Sequence, residues 1–245
     1  MDPRLSTETP KLRIPLIDVL RGLALAAMAV YHFAWDLEFY SLAEFGVTEH
    51  PLWIAFARSI AGSFLALVGV SLALAHGDGV RWPGFRHRFL VIAFWALAVT
   101  IASWLADPDG VILFGILHCI AVSSVLGLLF LRVPVPLVIA AAIACLAAPR
   151  FLASPAFDGL AWVWLGLARD PLPSNDYNPL LPWFGMVLAG IAAARMIPRD
   201  KWPAWQPHDI VTHTLALIGR HSLLFYLLHQ PVLLGILWAV AKAVG

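Results

Sequence analysis

Four ionisable residues share one face of an otherwise apolar segment, residues 17–37, which reads IDVLRGLALAAMAVYHFAWDL. At about 100° per residue, the steps from Arg21 to His32 turn roughly 1100° and return within roughly 20° of the start. Asp18 lies one turn before Arg21 and Asp36 one turn after His32, so all four form a stripe with Leu25 and Met28 between them. An imidazole with a carboxylate one turn away is held in one tautomer, which is what a general base needs. The same ring, with a spare nucleophilic nitrogen, could instead carry an acyl group transiently. The Arg21 guanidinium offers forked, permanently charged donors that suit a phosphate. Burying one ionisable group in a bilayer costs at least about 2.5–3.5 kcal/mol, so four on one helix point to a polar site inside a helix bundle.

The rest of the chain is what such a helix needs around it. Hydrophobic residues make up 61% of the 245 and charged residues only 13%, against about 25% charged in soluble domains. Mean hydropathy is +0.82. These values predict an all-α, polytopic membrane helix bundle, read as a single integral-membrane domain over residues 1–245 with a polar tail at 1–13. The net charge of +1 gives no reason to expect a nucleic-acid partner. Cys119 and Cys145 fall inside apolar stretches, as small core residues do, and no metal site is expected. No cleavable leader is read ahead of the first helix.

Apolar runs near 15–39, 52–75, 89–106, 111–131, 134–149, 179–197 and 220–243 predict about seven transmembrane helices. One or two short interfacial helices are expected besides: the tryptophan-rich LAWVWLGLA within the long connection 150–178, and residues 208–219. A cytosolic N-terminus places Arg4, Lys11, Arg13, Arg81, Arg86, Arg88, Arg132, Arg195, Arg199 and Lys201 inside, leaving Arg150, Arg169 and Lys242 outside. With that orientation His32, Asp36, Arg58, His118, Asp176, Asn178 and His229 are expected in the outer half, where they could converge. Each also has a plainer role. His118 and His229 could link helices, Arg58 could pair with Asp36, and the loop arginines could only set topology.

The stretch IDVLRGLALAAMAVYHFAWDL, with FGILHCIAVSSVLG, YNPLLPWFGMVLAGI and IGRHSLLFYLLHQPVLL, resembles the heparan-α-glucosaminide N-acetyltransferase family, in its bacterial branch, over roughly residues 13–240. Its first-helix arginine and histidine are also similar to the signature of the wider transmembrane acyltransferase superfamily. The resemblance implies transfer of an acetyl (acyl) group from cytosolic acetyl-CoA to an external sugar or amine acceptor, within membrane lipid and, by the branch, in a bacterial inner membrane. It makes Arg21 and His32 the central pair and brings in the segments 178–185 and 220–230. The expected site then has His32 and Asp36 as catalytic groups. Arg58, His118, Asp176, Asn178 and His229 would serve the substrate or the oxyanion, and Arg21, Arg86, Arg88 and Arg220 the acyl-CoA. In the family's lysosomal member a histidine in the lumenal loop after the first helix is held to be catalytic. The loop SLAEFGVTEHPLW offers His50 at a comparable place, so His32 and His50 both stand as the working base, with His32 preferred. Heparan itself is not carried over. A proton-coupled transporter using the same buried residues is the rival reading. A homo-oligomer stays open, since Gly62, Ala66 and Gly69 allow close packing within a protomer or between two.

Overall fold

The computed structural model describes residues 14–198, 201–203 and 205–244; the polar tail with Arg4, Lys11 and Arg13, and also Arg199, lie outside the described residues. The described chain is helical: α1 (Pro15–Phe39), α2 (Pro51–His76), α3 (Trp82–Ala106), α4 (Ile116–Phe130), α5 (Val135–Leu152), α6 (Leu180–Met196), α7 (Ile210–Arg220) and α8 (Ser222–Val244). Among the described residues there is no strand, only the isolated bridge between Ser154 and Ala168. Five of the helices, α1, α2, α3, α5 and α8, are long and apolar enough to cross a membrane. The fourth and sixth expected spans are shorter apolar helices, of 15 and 17 residues. Proline enters the first turn of α1, α2, α3 and α5, where its missing N–H is unneeded and its fixed φ suits a helix.

The chain divides into two compact units, Met1–Glu44 with Arg199–Gly245, and Phe45–Pro198. In the first, α1 packs against α7 and α8. Asp18 meets Arg220, Asp36 meets Gln230, and Tyr40 donates to the Leu234 carbonyl. Asp36 and Tyr40 meet Gln230 and Leu234 in the same chain order, so α1 and α8 run parallel. A chain whose first and last spans run parallel crosses an odd number of times from one to the other.

The crossing of α1 and α7 is made by glycine at both contact points. A Cβ on Gly22 would strike the Leu215 carbonyl, and one on Gly219 the Asp18 carbonyl. The backbones therefore touch, as small residues permit in membrane helices. Asp209 caps α7: its carboxylate accepts from the Thr212 N–H at 2.9 Å and the Thr212 hydroxyl at 2.7 Å. His221 breaks the run between α7 and α8, with φ −104° and ψ 33°. Beyond α1, Ser41 sits in the left-handed region at φ 55° and closes a Schellman turn through Leu42 N–H to the Leu37 carbonyl.

In the second unit α6 is the hub, packed by α2, α4 and α5. Gly69 and Gly190 let α2 and α6 approach until a Cβ on either would strike the Val187 or the Ala66 carbonyl. The small-residue stripe of α2 is thus used within the protomer. By contrast α3 buries only Phe85, Ile92 and Ala96, and α5 only Val138 and Ala142. Their apolar remainder suits lipid.

The expected interfacial helix at LAWVWLGLA is corrected to a 3-10 turn, Leu160–Trp162, in a laced loop. Gly166 is at φ +84°, and the Trp164 and Leu165 carbonyls accept from the N–H groups of Leu180 and Leu181, as a continuous helix here would not allow. Asp158 ties down the next turn by accepting from the N–H groups of Arg169 and Asp170. Tyr177 donates its hydroxyl to the Val163 carbonyl, and burial raises its pKa above the ordinary tyrosine value. The second piece expected, residues 208–219, is observed as the 11-residue helix α7.

Two outcomes follow from the α1–α7 crossing. Gly219→Ala should lower stability by about 1–3 kcal/mol, as overpacking does, whereas Gly235→Ala, with nothing within 4 Å, should not; thermal unfolding in detergent micelles compares them. The Thr212 hydrogen bonds hold the Asp209 carboxyl below its ordinary value. The cap is therefore complete above the ordinary aspartate pKa and is lost as pH falls through the lowered one. Asp209→Asn, which caps without titrating, should remove that acid-side loss of melting temperature.

Candidate functional site

One polar cluster in the first unit gathers residues from α1 and α8. Asp36 is fully buried. Its Oδ1 accepts from the Gln230 side-chain amide at 2.7 Å, while its Oδ2 is buried without a partner. The ring of His229 lies 5.0 Å from that of His32, centroid to centroid, and stacks parallel on Phe225 at 6.2 Å. His229 Nδ1 bonds the Tyr226 carbonyl at 2.7 Å. A carbonyl only accepts, so Nδ1 carries the proton and Nε2 the lone pair in the neutral ring. That Nε2, like Gln230 Oε1, is buried and has no hydrogen-bond partner.

The orientation of α8 here follows from its sequence. Pro231 has no N–H to return to the residue 227 carbonyl, which loosens the helix beside His229 and Gln230. His229 meets His32 and Gln230 meets Asp36, although these residues stand nearly two hundred positions apart in the chain.

The expected hydrogen bond from Asp36 to His32 is not formed. The carboxylate turns to Gln230, and the His32 ring is held by edge contact with Tyr31 and by His229, with no hydrogen bond among the described residues. Gln230 is the residue that reading the sequence for ionisable groups passes over. Its only signal is its place between His229 and Pro231.

A second cluster sits toward the other end of α1. Buried Asp18 lies 3.6 Å from the Arg21 guanidinium and 3.7 Å from that of Arg220. Two arginines thus meet one carboxylate, and the Arg220 side chain stays 37% exposed. From Arg21 to His32 the helix rises about 17 Å.

The remaining expected site residues belong to the second unit. His118 accepts at Nδ1 from the Gly115 N–H at the start of α4. Its Nε2–H then donates to Thr100 Oγ1 at 3.3 Å, since the Thr100 hydroxyl already donates to the Ile112 carbonyl at 2.6 Å. One ring nitrogen caps α4 and the other ties α4 to α3. Asp176 Oδ2 accepts from the Ile116 N–H at 3.0 Å and Oδ1 from the Asn178 amide, while Asn178 N–H bonds the Phe114 carbonyl. These bonds fasten the loop before α6 to the N-terminus of α4. His50 caps α2, its Nδ1 accepting from the Leu52 N–H at 3.3 Å. Arg58 is exposed on α2 and makes no ion pair among the described residues. Arg86 and Arg88 are exposed on the first turns of α3, and Arg88 also lines a cavity of about 20 Å³ with His76, Ser71 and Ser124. Arg195 donates to the Phe130 and Val133 carbonyls and closes the end of α4. Among the described residues no His, Cys, Asp or Glu cluster could hold a metal.

A family model described as heparan-alpha-glucosaminide N-acetyltransferase, catalytic, matches residues 13–231. The chain belongs to that family. The match spans both units and ends at Pro231, just past the His229–Gln230 pair. Membership, with five helices long enough to cross a bilayer, makes this an integral membrane protein of an acetyltransferase family. Neither a curated protein nor a solved structure gives a match.

The Asp36–Gln230 bond should be worth more than a surface contact. Gln230→Leu strands a buried carboxylate and should lower stability by about 1–3 kcal/mol, with a positive coupling energy against Asp36→Leu in a double-mutant cycle of thermal unfolding.

Proposed function

We propose that the protein takes an acetyl group from cytosolic acetyl-CoA and passes it to a hydroxyl or amine, of a sugar, at the outer face of a bacterial inner membrane. The observation that carries this reading is the sorting of charge along α1. Two arginines share Asp18 at one level, and two imidazoles with a carboxylate stand about 17 Å away at another. Arg21 and Arg220 suit the phosphates of the donor, because guanidinium forks bind phosphate oxygens in pairs. An extended pantetheine arm is long enough to span the interval and bring the thioester to the imidazoles.

The reading sets the N-terminus in the cytosol, with Arg81, Arg86, Arg88, Arg132, Arg195 and Lys201 on the same side. The parallel course of α1 and α8 supports N- and C-termini on opposite sides of the membrane. His32, the ring without a hydrogen bond, and His229, the ring with a fixed tautomer, handle the acyl group and the proton. Family membership supports an acetyltransferase.

Purified protein in lipid nanodiscs should bind acetyl-CoA and release CoA when an acceptor is added. Arg21→Ala should weaken acetyl-CoA binding roughly 10–150-fold, the loss of about 1.5–3 kcal/mol for a hydrogen bond to a charged group. His32→Ala should lower kcat with donor binding kept. Wild type that binds no acetyl-CoA at millimolar concentration would remove the donor from the reading and leave the proton-coupled transporter.

A further inference from the structure

We propose that His229, through Nε2, takes the proton from the acceptor, and that Asp36 and Gln230 seat that acceptor by its N–H or O–H donors. This rests on the acetyltransferase reading and assigns roles within its site. Three polar atoms in the cluster are buried and lack a hydrogen bond among the described residues: Asp36 Oδ2, Gln230 Oε1 and His229 Nε2. All three are acceptors. The Gln230 amide nitrogen is spent on Asp36 Oδ1, and a carboxylate oxygen tolerates only a donor there, which fixes Oε1 as the free end. The Tyr226 carbonyl fixes the proton of His229 on Nδ1 and the lone pair on Nε2.

A buried acceptor left unmet costs about 1–3 kcal/mol, and more when charged, so three in one cluster select a ligand rich in donors. A sugar hydroxyl with its neighbours, or a primary amine, brings such donors. The thioester end of the acyl donor brings none. The cluster therefore suits the acceptor better than the reacting acetyl group. His32 has no partner that fixes its tautomer. His229 has one, as well as an aromatic stack that holds the ring plane.

The step balances as a direct transfer. The acceptor X–H proton moves to His229 Nε2 as X bonds the acetyl carbon and the carbon–sulfur bond breaks. The CoA thiolate then takes the proton back from Nε2, leaving acetylated acceptor, CoA thiol and a neutral imidazole. Gln230 holds Asp36 through its amide nitrogen, and its Oε1 touches the acceptor together with Asp36 and His229.

The test follows acetyl-CoA turnover in nanodiscs with glucosamine and glucose as probe acceptors. His229→Asn keeps a donor toward the Tyr226 carbonyl but removes the base, so kcat should fall at least about 100-fold while acetyl-CoA binding and melting temperature hold. His229→Ala should regain part of its rate from added imidazole. Gln230→Leu should raise the KM for the probe acceptor and leave the KM for acetyl-CoA unchanged. If His229→Asn turns over within about threefold of wild type, a change of well under 1 kcal/mol in the barrier, the assignment to His229 is overturned and the acetyltransferase reading stands. If wild type neither binds acetyl-CoA nor releases CoA, the acetyltransferase reading falls and the assignment falls with it.

Discussion

A carboxylate buried completely inside a helix that crosses a membrane must be met by a donor, and Asp36 is met by Gln230. The hydrocarbon offers no water to substitute, so the partner has to come from protein. That requirement fixes the register of α8 against α1: Gln230 must stand level with Asp36, which sets His229 against His32 and Tyr40 against Leu234. Pro231 follows directly and loosens the helix where the contact is made. Van der Waals packing alone would leave the two helices free to slide by a turn, because lipid is as apolar as their other faces. One hydrogen bond between side chains removes that freedom.

A second constraint acts at the other end of the same helix. Gly22 and Gly219 bring α1 and α7 into backbone contact, and this places Arg220 over Asp18 beside Arg21. Substituting either glycine would move α7 as a body and carry Arg220 with it. The crossing and the Asp36–Gln230 bond thus divide the work in the first unit. The glycines set where the arginines gather, and the buried amide sets where the imidazoles gather. Because both constraints grip α1, the separation of the two clusters is the length of a stiff helix rather than the reach of a loop.

The stripe on α1 was legible because a helix of 3.6 residues per turn makes positions 18, 21, 32 and 36 neighbours whatever surrounds them. The span positions were legible for the same kind of reason, since apolar length is a local property. Partnership was not legible. The Asp36 carboxylate lies one turn from His32 and yet bonds an amide contributed by α8. No local rule ranks a glutamine nearly two hundred positions away above a histidine four away. The segment LAWVWLGLA misled through composition: tryptophan and leucine suit an interfacial helix, but Gly166 at φ +84° and two carbonyls given to the start of α6 make it a laced loop. The α7 helix was legible because its cap, Asp209 with Thr212, and its apolar stripe lie within one short window.

His118 and His229 show what separates a structural histidine from a chemical one. Both are single imidazoles in apolar helices of this chain, and either could be read as a helix link or as a catalyst. The His118 ring accepts from Gly115 at one nitrogen and donates to Thr100 at the other, so it has no lone pair or proton left to exchange. The His229 ring spends only Nδ1, on a carbonyl of its own helix, and holds Nε2 buried and unmet beside two other bare acceptors. A buried acceptor that no protein group meets costs about 1–3 kcal/mol, which apolar side chains of the same shape would avoid. Under the roles proposed for this cluster, that loss is recovered when an acceptor group with hydrogens to donate enters the site, and one of those hydrogens is the proton that His229 would remove.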